Sequence, residues 1–598
     1  MSRVQSAFTD AAAEFHVPAP VLLAVGYQES WWESHRGQPS AGGGFGLMQL
    51  TDTDPGMRQA RPPAEPTTEA GARAASHTLA AAAALIGADP QQVLGDDRQN
   101  IRAGAALLAS YQEQLTGSRS GDPGAWYGAV ARYSEAGRES GARLFADDVF
   151  AVIRDGAARV RSDGQQVVLE PLRQVNPDTR QLAALGLPQE QQAAQGTECP
   201  PTLDCRFVAA AVGNYQSATR PENGVPIDTI VIHDVEGSYD SAIATFQNPS
   251  SGVSAHYVVR SGDGQVTQML PTGAIGFHAG NYWTNLHAIG IEHEGFAAQG
   301  ATWYTPAMYH SSAALVRYLA DRFHIPLDRQ HIIGHDNVPG PSRSAVAGMH
   351  WDPGPYWDWD RYMRLLRGEE PDTMWRSMPQ VGSAVTIAPR FADNIQTVRV
   401  CDQSGTAAPC PTQTQPSNFL FVRTGPGDTA PLFPDPAIHP GASSGTDLID
   451  DWGDTIVAGQ QFVVADTQGD WTAIWFSGQK VWFLNPHGSL TRPAHHGTRI
   501  VRPKNTLAAI PVYGTAYPQP NEYPAGLKPS TQAPLGVYTL PPGQAYVTTG
   551  PARQSDDYFT KPSDTVVTGA GRYLAVQLDH RIVLVNSADV DIVDPDCP

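Results

Sequence analysis

The chain has 598 residues, a hydrophobic content of 41% and a formal net charge of −20. This apolar content excludes a wholly disordered chain, and at about 150 residues per domain the length predicts about four domains. The acidic balance disfavours nucleic-acid binding, which needs a positive surface, and no apolar run is long enough to span a bilayer. We therefore expect no nucleic-acid partner and no membrane insertion, while the oligomeric state stays open.

Residues 1–160 are predicted to form an all-α domain. Phe8, Ala11, Ala12 and Phe15 recur at the spacing of one helical face. Further apolar runs predict helices at 21–32, 79–86, 101–115 and 126–133. Residues 161–205 are rich in Gln, Pro and Ala without such periodicity, and are predicted to be a linker that ends in a cysteine pair.

Residues 206–370 are predicted to form a mixed α/β domain with a central sheet. A Thr305-Pro306 pair is typical of a helix start, and the helix is expected to run through Phe323. Short apolar runs predict strands at 229–232, 256–259, 266–270 and 288–291, the middle two as a hairpin.

The remainder of the chain is predicted to form one or two small all-β barrels, with a small barrel at 380–490 and a second β-rich domain at 491–598. Gly-containing turns separate short apolar strands in both stretches. The predicted strands are 461–465, 471–475, 480–484, 573–576 and 582–585.

The five cysteines favour an oxidising compartment. Cys199 and Cys205 form one close pair, Cys401 and Cys410 form another, and Cys597 is left over. Two local disulfides are the favoured interpretation, and unpaired surface thiols are the alternative. We expect a secreted or cell-wall protein, although no leader peptide is visible in the first residues.

Histidines are concentrated between His233 and His350, which suggests metal or acid–base chemistry. His233 ends a predicted strand, His335 follows another apolar run, and Asp352 opens a Pro-Gly turn. Two histidines and one carboxylate suit a catalytic zinc ion, which needs three protein ligands and one open position.

This middle part resembles the type-2 N-acetylmuramoyl-L-alanine amidases, a family that includes peptidoglycan recognition proteins. The matching segments, in family order, are Ile230-Val-Ile-His233, Ser254-Ala-His-Tyr257, Phe277-His-Ala-Gly280, Ile289-Gly-Ile-Glu292, Gly334-His335 and His350-Trp-Asp-Pro-Gly354. The resemblance implies that His233, His335 and Asp352 bind Zn²⁺. It also implies that Glu292 serves as base or orienting group for the attacking water.

Two features of this resemblance bear on catalysis and substrate binding. Family hydrolases usually carry Lys two positions before the third ligand, where this chain has His350; a protonated His350 would stabilise the oxyanion. His256 and His278 are assigned to the substrate groove, with core packing as the alternative.

The amino-terminal part resembles lysozyme-like lytic transglycosylases. Glu29 lies in the apolar run Leu22 to Ser30, where burial would raise its pKa as a general acid requires. Gly46-Leu-Met-Gln49 and Ala131-Arg-Tyr133 follow in family order, although Ser134 and Glu135 depart from the family pattern. The resemblance implies that Glu29 cleaves the glycan strand and that Gln49 and Tyr133 contact sugar. A glycan-binding fold without cleavage is the alternative.

The carboxy-terminal barrels resemble bacterial Src-homology-type domains that dock on cell walls. The segments that carry this resemblance are Phe421 to Gly427, Gly469-Asp-Trp471 and Val481-Trp-Phe483. Together the regions predict a secreted, multidomain peptidoglycan hydrolase that uses zinc to cleave the bond between N-acetylmuramic acid and L-Ala. A non-catalytic peptidoglycan-binding protein and a phage-type endolysin are the alternatives.

Overall fold

The computed structural model describes residues 2–34, 40, 43–52, 77–189, 196–369, 377–401, 410–494, 498–504, 508–561 and 564–593. We call residues 2–189 the amino-terminal region, 196–369 the central region and 377–593 the carboxy-terminal region. The first is mainly helical, the second contains a mixed sheet, and the third is built from β-strands. The multidomain organisation with a central α/β part therefore agrees with the sequence prediction.

The amino-terminal region packs its helices around one apolar core. Its helices are α1 (Arg3–Phe15), α2 (Ala19–Ser30), α3 (Thr78–Ile86), α4 (Pro90–Gly95), α5 (Asp97–Thr116), α6 (Tyr127–Tyr133) and α7 (Glu139–Asp155). Helix α1 begins at the Ser2 cap, whose hydroxyl accepts from the Gln5 N–H. It buries Phe8 and Ala11 on the face that the sequence predicts.

This region also contains strands, which an all-α prediction does not include. They form two antiparallel pairs, β1 (Gly44–Phe45) with β2 (Leu50–Thr51) and β3 (Ala157–Val160) with β4 (Gln166–Leu169). Val167, Leu169 and Leu182 are buried in the helical core. Residues 161–185, predicted as part of a linker, thus pack against the helices because their apolar side chains find a core there.

The central region is built on a six-stranded sheet. The strands of the central region are β5 (Cys205–Phe207), β6 (Tyr215–Gln216), β7 (Thr229–Ile232), β8 (Tyr257–Val259), β9 (Val266–Gln268), β10 (Ile275–Gly276), β11 (Ala288–His293) and β12 (Ile332–Gly334). The sheet order is β12-β7-β11-β8-β9-β5, and β6 pairs with β10 outside it. The first four strands of that order are parallel, so their carboxyl ends meet at one edge.

Helices cover the central sheet. They are α8 (Tyr239–Gln247), α9 (Tyr282–His287), α10 (Gly300–Trp303), α11 (Pro306–Phe323) and α12 (Trp359–Arg367). The start and end predicted for α11 are confirmed, with the Thr305 side chain accepting from the Met308 N–H.

The carboxy-terminal region contains two larger sheets. Its first strands are β13 (Ala384–Ile387), β14 (Ile395–Arg399), β15 (Thr412–Pro416), β16 (Phe419–Phe421), β17 (Thr455–Val457), β18 (Gln461–Gln468), β19 (Trp471–Phe476), β20 (Gln479–Leu484) and β21 (Thr491–Pro493). The later ones are β22 (Arg499–Pro503), β23 (Ile510–Tyr513), β24 (Pro534–Leu540), β25 (Tyr546–Thr548), β26 (Arg553–Phe559), β27 (Thr565–Gln577), β28 (Ile582–Asn586) and β29 (Val590–Val593). One sheet joins β20-β19-β18-β13-β21, and the other joins strands β22–β29.

Both predicted disulfides are present, as Cys199–Cys205 and Cys401–Cys410. Cys597 lies outside the described residues. Among the described helices, none combines the length and apolar character that crossing a membrane requires.

The carboxy-terminal region docks directly on the central region. His580 lies 2.7 Å from a carboxylate oxygen of Asp336, and its carbonyl accepts from the Asn337 side chain at 2.9 Å. Both partners immediately follow His335, so this docking braces the loop that carries a predicted ligand.

Candidate metal centre and a second buried carboxyl group

The parallel strands place His233 and His335 side by side. His233 follows β7 and His335 follows β12, and these strands pair from Ile230–Ile332 to Ile232–Gly334. Because parallel strands end at the same edge of the sheet, the two imidazoles meet there. Asp352 reaches this edge from the loop after Trp351.

The three side chains converge on one point. The Nδ1 atom of His233 lies 3.3 Å from one Asp352 carboxylate oxygen, and the Nδ1 atom of His335 lies 3.0 Å from the other. All three residues are buried, and their ligand atoms lie within 4.8 Å of one another. Two imidazoles and one carboxylate fit the ligand set of zinc.

The cluster favours the protonation states that metal binding needs. Burial and the neighbouring His335 lower the pKa of His233 to about 4, which keeps its imidazole neutral. Burial alone would raise the pKa of Asp352, but His335 and the hydrogen bond from His233 outweigh it and hold that pKa well below its usual value. The site therefore offers a neutral His233 and an ionised Asp352.

His278 lies beside His233 in the interior of the central region. Its Nδ1 atom is 2.9 Å from the Nε2 atom of His233, and its side chain is 3% exposed. A ligand that binds metal through Nδ1 must carry its proton on Nε2, and this contact gives that proton an acceptor. Gly290 makes room for the His278 ring, because a Cβ atom there would come within 2.5 Å of it. The structure thus replaces the predicted groove position with a supporting one.

His256 belongs to the core. Its Nδ1 atom accepts from the Gly290 N–H at 3.1 Å, and its Nε2 atom lies 3.0 Å from the Ala274 carbonyl. Burial and the charge of Arg220 lower its pKa to about 3. The substrate-groove assignment of His256 is therefore corrected to the packing alternative, since the ring is fully enclosed.

Glu292 lies on β11, between the ligand strand β7 and strand β8. Its side chain is partly exposed, whereas the next residue, His293, points to the other face. Desolvation and the charge of Asp352 raise the pKa of Glu292 well above its usual value. Glu292 therefore lies close enough to Asp352 for the two charges to interact, and part of its residue surface reaches solvent.

Several groups that sequence reasoning missed support the ligands. His293 lies 2.8 Å from the His233 carbonyl through its Nδ1 atom. The Asp234 N–H donates to Asp352 at 3.2 Å, and the Tyr304 hydroxyl donates to the Asp234 carboxylate and to the Pro353 carbonyl at 2.8 Å each. The sequence could have indicated a role for Asp234, because this residue directly follows the predicted ligand His233. No such indication exists for Tyr304, because the fold alone brings it there.

His350 occupies the exposed rim of this site. Its side chain is 51% exposed, its Nδ1 atom lies 3.7 Å from an Asp352 oxygen, and its ring centroid is 4.9 Å from that of His335. The imidazole therefore borders both a ligand and solvent.

Glu29 lies far from the metal cluster in sequence, at the end of α2. Burial, followed by the charges of Asp240 and Glu135, raises its pKa well above the usual value, and the Ser238 side chain hydrogen bonds to it. This agrees with the raised pKa predicted from its apolar surroundings.

Gln49 and Tyr133 both brace the ribbon of β1 and β2. The Tyr133 hydroxyl donates to the Met48 carbonyl at 2.7 Å, and the Gln49 amide donates to the Gly46 carbonyl at 2.9 Å. Both side chains are buried. They therefore shape the surroundings of Glu29 in this structure, and the predicted contact of both side chains with sugar stays a prediction. Glu33, four residues further along the chain from Glu29, is also buried and accepts from the Ser162 hydroxyl at 2.8 Å.

The sheet, the two strand-end histidines and the loop carboxylate define an α/β protein with a buried group that could hold a metal ion. A family model for N-acetylmuramoyl-L-alanine amidase matches residues 223–355, which include all three ligands. N-acetylmuramoyl-L-alanine amidase A of Achromobacter lyticus is 35% identical over 175 residues, which cover 27% of this chain and 91% of that protein. The chain belongs to the N-acetylmuramoyl-L-alanine amidase family.

Further similarities are confined to the same part of the chain. The 1,6-anhydro-N-acetylmuramyl-L-alanine amidase AmpD of Salmonella typhimurium is 36% identical over 120 residues, 19% of this chain and 57% of AmpD. A crystal structure of a selenomethionine derivative of AmpD is 27% identical, covers 27% of this chain and 94% of its own, and has a TM-score of 0.22.

Proposed function

We propose that the protein is a zinc-dependent peptidoglycan hydrolase that cleaves the amide between N-acetylmuramic acid and L-Ala of the stem peptide. The observation that carries this proposal is the buried cluster of His233, His335 and Asp352 beside the partly exposed Glu292. A protein that only recognises peptidoglycan needs a binding surface but no proton acceptor such as Glu292. The choice of the amide between N-acetylmuramic acid and L-Ala rests on the family to which the chain belongs.

In this proposal His233, His335 and Asp352 hold Zn²⁺. Zinc supplies Lewis-acid polarisation of the amide carbonyl and lowers the pKa of a water molecule to about 7. Glu292 takes the proton of the attacking water on a carboxylate oxygen and delivers it to the leaving amine nitrogen. His350, on the open rim, donates to the carbonyl oxygen as negative charge develops there.

His278 acts behind the site as a positioning residue. It accepts the Nε2 proton of His233 and so keeps the Nδ1 lone pair directed at the metal position. His293 fixes the backbone of the same ligand through its carbonyl. These contacts limit reorganisation when the amide binds.

We further propose a secreted protein that acts on the cell wall, with a lysozyme-like domain that comprises residues 1–160 and the packed residues 161–185, and an amidase domain at 206–370. Two disulfides support the oxidising compartment. The part 380–490 is proposed as a wall-binding barrel, supported by its Src-homology-type segments, and 491–598 is proposed as a second β-rich domain.

A second activity is proposed for Glu29. A general acid for a glycosidic bond must stay protonated near neutrality, and burial gives Glu29 a raised pKa. Cleavage by one carboxyl group would leave 1,6-anhydro ends, whereas a hydrolytic muramidase needs a second carboxylate. Glu135, whose charge acts on Glu29, is the candidate for that second role.

Product analysis tests the amidase proposal. Purified peptidoglycan is digested with the full chain and with Glu292→Gln, and soluble fragments are identified by mass spectrometry. Free stem peptides that begin with L-Ala, formed by the wild type and nearly lost in Glu292→Gln, support it. Wall binding without such fragments would favour the recognition protein instead.

A further inference from the structure

The first turn of α8 and its cap residue cover Glu29. The Glu29 residue is only 5% exposed, and its carboxyl group hydrogen bonds to the side chain of Ser238, the cap of α8. The neighbouring Gln28 donates to the Asp240 carboxylate at 2.5 Å. A hydrogen-bond partner of the Glu29 carboxyl group therefore comes from the central region.

The contact continues into a shared apolar core. Leu144 of α7 is buried in a cluster with Tyr239, Ile243 and Phe246 of the central region. In the opposite sense, Ala244 of α8 is buried in the core of the amino-terminal region. Each region inserts a side chain into the other, so the two surfaces are complementary and exclude water.

Polar and aromatic contacts surround this core. The rings of Trp31 and Trp303 stack with centroids 4.4 Å apart. Arg260 pairs with Asp148 of α7 at 2.8 Å, and the Gln247 amide donates to a side chain of α7 at 3.0 Å. The interface thus extends on both sides of Glu29.

A glycan strand cannot reach Glu29 past these contacts. Cleavage within a polysaccharide needs room for a sugar ring on each side of the carboxyl group, and α8 fills that room. We infer that α8 occupies the saccharide cleft of the amino-terminal region, so that glycan cleavage is latent until the two regions separate. The inference rests on the glycan cleavage proposed above.

The interface contains polar groups that are poorly satisfied while it is closed. Asp240 and Glu29 bring two carboxyl groups into one desolvated space, an arrangement that costs free energy. Within the described part of the chain, Asp240 Oδ1 is buried without a hydrogen-bond partner. If these carboxyl groups bind sugar when the cleft is open, a polar atom without a partner is expected when the cleft is closed.

Two full-length variants test the inference. Ala244→Arg places a charge in the shared core, and Asp148→Arg turns an ion pair into repulsion with Arg260. Asp155→Arg is the matched control, because it makes the same charge change on α7 at an exposed position away from α8. All are made in the Glu292→Gln background, so that amide cleavage does not mask glycan ends.

Two readouts are needed. Hydrogen exchange of residues 19–30 and 239–247 reports opening, and mass spectrometry counts new glycan ends released from peptidoglycan. We expect both interface variants to raise exchange and to increase glycan cleavage about tenfold or more, as a population shift of about that size requires. Asp155→Arg should match the parent, and adding Glu29→Gln should abolish the gain.

The outcomes separate the two proposals. Equal glycan cleavage by the parent and by the opened variants would overturn the proposal that α8 covers the cleft, while the proposal that Glu29 cleaves glycan would stand. Increased exchange with no glycan ends in any variant would refute glycan cleavage and the latent site with it. Unchanged hydrogen exchange in both variants would also overturn the inference. It would mean that a charge introduced at the interface does not displace α8, so that α8 does not control access to Glu29.

Discussion

Replacing His278 with Leu tests whether a buried partner sets the metal affinity of His233. The change removes the acceptor 2.9 Å from the His233 Nε2 atom and leaves a buried N–H unpaired. An unsatisfied buried donor costs about 1–3 kcal/mol, and partners of this kind contribute about 10–100-fold in metal affinity. We therefore expect the zinc Kd of the variant to rise about tenfold to hundredfold.

The assay titrates metal-free protein with zinc against a chromophoric chelator of known affinity. His278→Asn is the matched control, because its side-chain oxygen offers an acceptor near the position of Nδ1, and it should recover most of the affinity. Circular dichroism and thermal unfolding show that each variant is folded. An unchanged zinc Kd in folded His278→Leu would refute the positioning role.

Three further predictions concern Glu292, His350 and Asp240. Glu292→Gln should lower kcat for stem-peptide release about 10²–10⁴-fold while the zinc Kd from the same chelator titration stays unchanged; a lost zinc site would instead mean that the carboxylate holds the ligands. His350→Ala should lower kcat with little change in KM or zinc Kd, because the side chain is half exposed at the rim; wild-type kcat would remove it from the mechanism. Burial, and then the charge of Asp148, raise the pKa of Asp240 to about 8, so the folded state holds this proton more tightly than the unfolded state does. The contribution of this group to the stability of the α8 contact should be complete below about pH 4, decline as the pH rises from there, and be lost by about pH 8. Exchange protection of residues 239–247, corrected for intrinsic rates, should fall over that range and become flatter in Asp240→Asn; equal pH dependence in both proteins would contradict this.

Local rules in the sequence account for the meeting of His233 and His335 in the candidate metal centre. A Thr-Pro start fixes α11, and apolar runs at 229–232 and 332–334 form adjacent parallel strands. Ligands that follow parallel strands must meet at one edge of the sheet. His233 and His335 are therefore brought together by features that can be recognised in the sequence.

The sequence does not reveal where the other histidines point. His256 and His278 stand in short segments of small and apolar residues, which suit a groove and a core equally well. Tertiary packing decides, and both rings are buried. A tautomer partner such as His278 becomes visible only when its distance to His233 is known.

Contacts between distant parts of the chain are also beyond sequence reasoning. Gln28 and Asp240 are 212 positions apart, and no periodicity relates α2 to α8. The short strand Gln166–Leu169 did have a local signal in its β-branched residues, but the surrounding Gln and Pro residues favoured a linker.

Zinc removal and restoration test the central claim most directly. Metal-free protein is incubated with purified peptidoglycan, then with added Zn²⁺, and soluble products are identified by mass spectrometry. The account predicts that stem peptides beginning with L-Ala disappear without metal, return with zinc, and fail to return in a His335→Ala variant. Stem-peptide release that continues in verified metal-free protein, or that His335→Ala retains, would contradict it.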